Sequence, residues 1–307
     1  MNYKRCIDVY DFSVSEIFEI FDLAMRVKKN PLAYKNLLNG KALGLIFEKP
    51  STRTWVSFDI GFSTLGGHAI YLGPQDIKLG VREEIRDVAR VLARYLDAIV
   101  MRTFSHKTII EFARYFAKPV INGLSDLEHP CQALTDYFTM LEIFGDFKGR
   151  KIAYVGDGNN VLSSLLLLAA RLGVDFSFAT PEECLVRRST LMRARREAKR
   201  TKAKISEFHN PGQAVRGADI IYTDVWVSMG EEHKSSKRKY FKPFQVNQKL
   251  LSKAKKDVRF MHCLPAHRGE EVTNDVIEGK HSVVFDQAEN RIHVQKAILI
   301  YLLGMNA

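Results

Sequence analysis

The chain has 307 residues, 46% hydrophobic and 26% charged, which suits two soluble domains of ordinary size with substantial cores. It has no apolar run of about 18 residues, and the charged N-terminus MNYKRCIDVYDFS lacks the apolar core of a signal peptide. No membrane span is therefore expected, and a cytoplasmic location is expected. The formal charge of +11 raises the question of an anionic partner.

Much of that charge lies in RRSTLMRARREAKRTKAK (187–204). Aromatic residues are not interleaved there, and no helix-turn-helix or zinc-finger spacing is visible. A solvated helix face is expected, with no nucleic-acid partner. The four cysteines, Cys6, Cys131, Cys184 and Cys263, form no C-x-x-C pair. They suit a reducing compartment and argue against a disulfide framework or a zinc ribbon.

Along the chain, β-rich runs alternate with helical periodicity. In the first half, KALGLIF (41–47), HAIYLG (68–73), AIVMRT (98–103) and PVINGL (119–124) read as strands. WVSFDIGFSTLGG (55–67), REEIRDVARVLARYL (82–96) and HKTIIEFARYFA (106–117) read as helices. HPCQALTDYFTMLEIF (129–144) is a long helix, with Leu134, Tyr137, Phe138, Leu141 and Phe144 at helical spacing. In the second half, strands are expected at 151–157, 174–180, 218–224, 258–265 and 282–287, with a final helix at 290–304. This alternation predicts an α/β protein of two domains, each a mostly parallel sheet with helices on both faces. The domains are expected at 1–145 and 146–289, with the C-terminal helix (290–307) packing back on the first.

Ligands of open parallel sheets bind beyond the carboxyl ends of strands. The unusual polar clusters all fall there. Ser51-Thr52-Arg53-Thr54 follows the first strand, Arg102 ends the third, and His129-Pro130-Cys131-Gln132 follows the fourth. Gly156 to Asn160, Asp224 and His262-Cys263-Leu264-Pro265 occupy the same positions in the second half. Two facing domains with such ends imply an active site in the cleft between them.

Ser51 to Thr54 is suited to a phosphate, because a helix N-terminus offers unpaired N–H groups, to which the stretch adds a guanidinium and three hydroxyls. The alternative is that Ser51 or Thr52 merely caps the helix and Arg53 is a surface residue. VGDGNN (155–160) partly matches a dinucleotide fingerprint, but Val161 stands where the third glycine belongs. His262, Cys263 and His267 suggest zinc, but three or four ligands at metal spacing are not apparent. No metal or cofactor is expected.

FEKPSTRT (47–54), HPCQ (129–132), DVWVSMG (224–230), HCLPAHRGEEV (262–272) and FDQAENR (285–291) together resemble the aspartate/ornithine carbamoyltransferase superfamily, most closely its ornithine-specific members. The segments run in family order over nearly the whole chain. S-T-R-T is shared across the superfamily, whereas D-x-W-x-S-M-G with H-C-L-P is specific to the ornithine branch.

The resemblance implies transfer of a carbamoyl group from carbamoyl phosphate to the δ-amine of L-ornithine, in arginine metabolism. It places Ser51, Thr52, Arg53 and Thr54 on the phosphate, and Arg102, His129 and Gln132 on the carbamoyl group, with Arg291 completing that site. Asn160, Asp224, Ser228 and Met229 fall to ornithine. Cys263 and Leu264 lie where the amine meets the carbamoyl group, and Cys263, Arg102 and His129 are the implied catalytic set. A homotrimer or dimer of trimers is implied. A neighbouring subunit's loop, here GPQDIKLG (73–80), would then reach the site and carry Lys78, which is otherwise a solvated loop lysine. Trp55 departs from the family, which has a second arginine there. The competing readings are a carbamoyltransferase for putrescine or an N-acylornithine and, in another class, an NAD-dependent oxidoreductase.

Overall fold

The computed structural model describes residues 4–228 and 232–305. It falls into two compact units. One runs to Thr135 and resumes at Glu289; the other is Asp136–Ala288.

The first unit contains α1 (Val14–Lys29), β1 (Ala42–Phe47), α2 (Thr52–Ser63), β2 (His68–Leu72), α3 (Ile85–Tyr95), β3 (Ala98–Arg102), α4 (His106–Tyr115) and β4 (Val120–Leu124). Helix α5 (Pro130–Phe144) begins in it. The strands pair in parallel in the order β2-β1-β3-β4. Residues 43–47 of β1 and all of β3 are buried, which explains why both read as unbroken apolar runs rather than alternating ones. Ile46, Ile99 and Met101 from these strands share one core with Val88, Ile109 and Phe112 from α3 and α4.

The second unit contains β5 (Lys151–Val155), α6 (Asn160–Leu172), β6 (Asp175–Ala179), α7 (Arg188–Thr201), β7 (Ile205–Phe208), the single-turn α8 (Pro211–Ala214), and β8 (Ile220–Thr223). The short α9 (Arg238–Phe241) and α10 (Gln248–Leu251), β9 (Arg259–His262), and the single-turn α11 (Asn274–Ile277) follow, and α12 (Val284–Leu302) leads out of the unit. The sheet is again parallel, in the order β7-β6-β5-β8-β9.

Two expectations change. Strand β7 was not read from the sequence; it is a four-residue edge strand, half-buried throughout, without the apolar run that marks the others. The strand expected at 282–287 is a single bridge at Ser282, after which α12 begins. The apolar S-V-V-F run looks like a strand, but the tertiary partners of Gln287 favour a helix. Its amide donates to Asp136 Oδ1 (2.7 Å) and the Tyr222 hydroxyl (3.2 Å), and its carbonyl accepts from His262 N (3.0 Å). The basic stretch forms α7, which buries Leu191, Ala194 and Ala198 and turns most of its basic side chains outward.

Each strand order reverses at one place. In the first sheet this lies between β1 and β3, in the second between β5 and β8. At such a reversal the following connections leave toward opposite faces, and a crevice opens at the carboxyl ends. Ser51–Thr54 and Arg102 follow or end β1 and β3. Gly156–Asn160 and Asp224 follow β5 and β8. The topology therefore gives each unit its own polar crevice.

Candidate active site

In the first unit, Ser51 is the N-cap of α2, and its hydroxyl accepts from Thr54 N at 3.4 Å and donates to Thr54 Oγ1 at 3.0 Å. The capping role and the anion-site role are thus compatible, since the cap engages Thr54 N and the N–H groups of Thr52 and Arg53 have no partner within the helix. Arg53 is half-buried and makes no ion pair with another described residue. Thr52 is exposed, whereas Thr54 is buried.

Arg291 joins this helix start to another. From α12 its guanidinium donates to Thr54 Oγ1 and to Gln132 Oε1, both at 2.9 Å. Gln132 stands in the first turn of α5, where the carbonyl of His129 accepts from Gln132 N and Ala133 N. Two helix N-termini, α2 and α5, are therefore held in register by one buried arginine. Arg102, at the end of β3, is 7% exposed, and His129 is 4% exposed. Burial holds the His129 imidazole well below its ordinary pKa, and the charges of Arg291, Arg102 and Lys49 push the same way. A neutral imidazole amid three cations is a hydrogen-bond group, not a charge, and the site as a whole is electropositive.

In the second unit, Asp224 follows β8 and is 6% exposed. Its carboxylate accepts from Asn159 Nδ2 at 2.7 Å and from the Cys263 thiol at 3.0 Å. Both donors are neutral, so its charge is left for a cation. Asn159 is the N-cap of α6, accepting from Val161 N and Leu162 N, so one side chain both starts the helix and aims Asp224. Asn160 opens the helix beside it, half-buried.

Cys263 and Leu264 follow β9. Leu264 lies in the left-handed region at φ 57°, which costs a non-glycine residue roughly 1–2 kcal/mol. Its N–H donates to His262 Nδ1 at 2.8 Å, which leaves Nε2 to donate to Glu271 Oε1 at 3.2 Å. Glu271 also accepts from His267 N at 2.6 Å, and so ties down the turn after Cys263. Sequence reasoning quoted Glu271 within its motif and gave it no role; only the fold brings it to His262. Asp224, His262 and Cys263 offer donor atoms within 4.8 Å of one another, but both His262 nitrogens are already engaged. Ser228 is half-buried. Met229 lies outside the described residues.

Trp55 has a physical role of its own. It stacks on Tyr71 of β2, ring centroids 4.6 Å apart, and Tyr71 in turn meets Phe47 at 5.4 Å. The indole thus makes an aromatic contact between α2 and the sheet edge.

Each parallel α/β unit thus carries its own polar site: an electropositive crevice suited to an anion in the first, and a buried acid–thiol pair suited to a cation in the second. The carbamoyl-P binding domain profile of aspartate/ornithine carbamoyltransferases matches residues 4–142, and their Asp/Orn binding domain profile matches residues 148–302. The chain belongs to the aspartate/ornithine carbamoyltransferase family. It is 51% identical over 306 residues to the ornithine carbamoyltransferase of Archaeoglobus fulgidus, covering 98% of each chain. It is 50% identical over 305 residues to the chloroplastic ornithine carbamoyltransferase of Pisum sativum, covering 98% of this chain and 80% of that one. The solved ornithine carbamoyltransferase of Pyrococcus furiosus superposes with a TM-score of 0.95 at 49% identity, over 99% of this chain and 98% of that one. Among the described residues no helix is long and apolar enough to cross a membrane.

Proposed function

We propose that this protein is an ornithine carbamoyltransferase, transferring the carbamoyl group of carbamoyl phosphate to the δ-amine of L-ornithine to give L-citrulline and phosphate. The observation that carries the reading is the state of Asp224. Among the described residues it is a buried carboxylate hydrogen-bonded by neutral donors alone, one of them the Cys263 thiol. Such a group suits the ammonium of an amino acid. The full-length likeness to enzymes named for ornithine supports the same acceptor.

In the donor half, the α2 N-terminus with Ser51, Thr52, Arg53 and Thr54 takes the phosphate. Arg102 and His129 donate to the carbamoyl oxygen, where negative charge grows as the amine attacks, and Gln132 fixes the group's orientation. Arg291 keeps Thr54 and Gln132 in place and completes the electropositive wall. In the acceptor half, Asp224 pairs with the α-ammonium, and Asn160, Ser228 and Met229 hold the rest of the amino-acid head. Cys263 and Leu264 sit beside the attacking amine, with Cys263 and Asp224 positioning it and easing its deprotonation. A free alkyl amine is largely protonated at neutral pH and attacks only as its free base. The new C–N bond forms as the C–O bond to phosphate breaks, with the electron pair leaving on phosphate. Alignment and preorganised charge supply most of the acceleration.

The enzyme assembles as a homotrimer or a dimer of trimers in the cytoplasm and serves arginine biosynthesis. The exposed apolar side chains Trp55, Val56, Ile60 and Ile70 on α2 and β2, each 39–48% accessible, support burial of this face by a second copy. Purified protein with carbamoyl phosphate and ornithine is expected to release citrulline, and putrescine and N-acetylornithine are expected to be poor acceptors. Absence of citrulline would refute the reading.

A further inference from the structure

A second buried carboxylate lies in the acceptor half. Asp157 follows β5 and is 7% exposed. Lys237, at the end of the 3-10 turn Glu232–Lys237, reaches it with Nζ–Oδ2 at 2.6 Å, and the two side chains are only 15% and 9% accessible. An ion pair at this depth is weak evidence for net stability, because desolvation offsets most of the attraction. Its location is more informative.

Asp157 shares the turn Gly156–Asn159 with the side chain that aims Asp224. The turn therefore makes two side-chain contacts with later residues of the same unit: Asn159 with Asp224 and Asp157 with Lys237. The turn is itself immobilised. Gly158 N donates to Cys184 O at 3.0 Å, and a Cβ on Gly158 would lie 2.3 Å from the carbonyl carbon of Leu185. The two carboxylates share surroundings, since both raise the pKa of buried Tyr154, after the larger effect of burial. Among the described residues, one is neutralised by a lysine while the other has only neutral donors.

We infer that Lys237 is a positioning residue for the amino-acid substrate. By neutralising Asp157, on the turn that aims Asp224, it leaves Asp224 as the carboxylate open to the substrate ammonium. The inference rests on the assignment of Asp224 to ornithine. Lys237 itself touches no reacting atom in this scheme.

Steady-state kinetics on Lys237→Met, Lys237→Arg, Asp157→Asn and the double variant Asp157→Asn/Lys237→Met test it, with Asp224→Asn as reference. Lys237→Met is expected to raise the KM for ornithine about 10- to 100-fold, the range for losing a charged hydrogen bond. The KM for carbamoyl phosphate should stay near wild type, while the melting temperature should fall, because Asp157 is left buried without its cation. Lys237→Arg should recover most of the loss. The double variant should be less impaired than the two single effects multiplied, because it removes both charges together. An unchanged ornithine KM in Lys237→Met, with Asp224→Asn clearly impaired, overturns the positioning role alone. Equal rises in both KM values with a lowered melting temperature overturn it in favour of a merely structural pair. An unimpaired Asp224→Asn overturns the ornithine assignment, and this inference with it.

Discussion

Arg291, on the C-terminal helix, donates to Thr54 Oγ1 at 2.9 Å across 237 residues of sequence, and the same guanidinium holds Gln132 at 2.9 Å. One side chain thus fixes the relative placement of two helix N-termini that together make the donor half. Replacing it by lysine keeps the charge and loses the planar fork. Arg291→Lys is expected to weaken carbamoyl phosphate binding about 10- to 100-fold, given roughly 1.5–3 kcal/mol for hydrogen bonds to charged groups. Isothermal titration with carbamoyl phosphate reads this directly; unchanged affinity would count against the fork.

The Asp224–Cys263 contact predicts coupling. Cys263→Ala is expected to lower kcat/KM for ornithine about 10- to 100-fold, with Cys263→Ser less impaired because it keeps a donor. Adding Asp224→Asn to Cys263→Ala should cost less than the product of the single effects, since the pair acts as a unit. Full activity in Cys263→Ala would remove that thiol from the mechanism.

His129 links the site to pH. Its folded-state pKa is depressed by burial, then by Arg291, Arg102 and Lys49, so below about pH 6.5 the unfolded chain binds a proton that the native state refuses. Stability is therefore lost as pH falls from about 7 towards the folded pKa, at up to roughly 1.4 kcal/mol per pH unit for this group. His293 is depressed too, mainly by burial, and adds in the same direction. Melting temperatures of wild type and His129→Gln between pH 7 and pH 5 should converge as pH falls. Parallel curves would show that His129 contributes no such linkage.

Gly158 should tolerate no side chain. The added Cβ of Gly158→Ala would lie 2.3–2.4 Å from backbone atoms of Leu185 and Val186. Overpacking of this kind costs about 1–3 kcal/mol. The urea midpoint should fall, and ornithine affinity with it, because the turn aims Asp224. An unchanged midpoint would show that residues 185–186 can move aside.

Trp55 answers the question raised by its departure from the family pattern. Trp55→Arg should remain active but lose the Tyr71 stack, worth roughly 0.5–1.5 kcal/mol beyond its buried area. If this face is an intersubunit surface, Trp55→Asp should shift the assembly toward monomers in sedimentation velocity. A trimer that persists at low micromolar concentration would place the interface elsewhere.

Much of the architecture was legible in the sequence for a local reason. Buried parallel strands are short apolar runs, and helices repeat at their own period, so eight of the nine strands could be read from local pattern. The edge strand β7 escaped because half-burial leaves no apolar run, and residues 282–287 misled because a β-like run sits where the partners of Gln287 favour a helix.

The sequence by itself determined the residue types of both half-sites and the strand ends on which they fall, because side-chain chemistry and periodicity are local properties. Only the tertiary structure decided which groups work together. Arg291 meets Thr54, Asn159 aims Asp224, Glu271 fixes His262, and Lys237 neutralises Asp157. These pairs lie between 9 and 237 residues apart in the chain. Asn159 meets Asp224 because β5 and β8 lie side by side where the strand order reverses, and Arg291 meets Thr54 because α12 returns to the first unit; no local pattern in the sequence records where a sheet reverses.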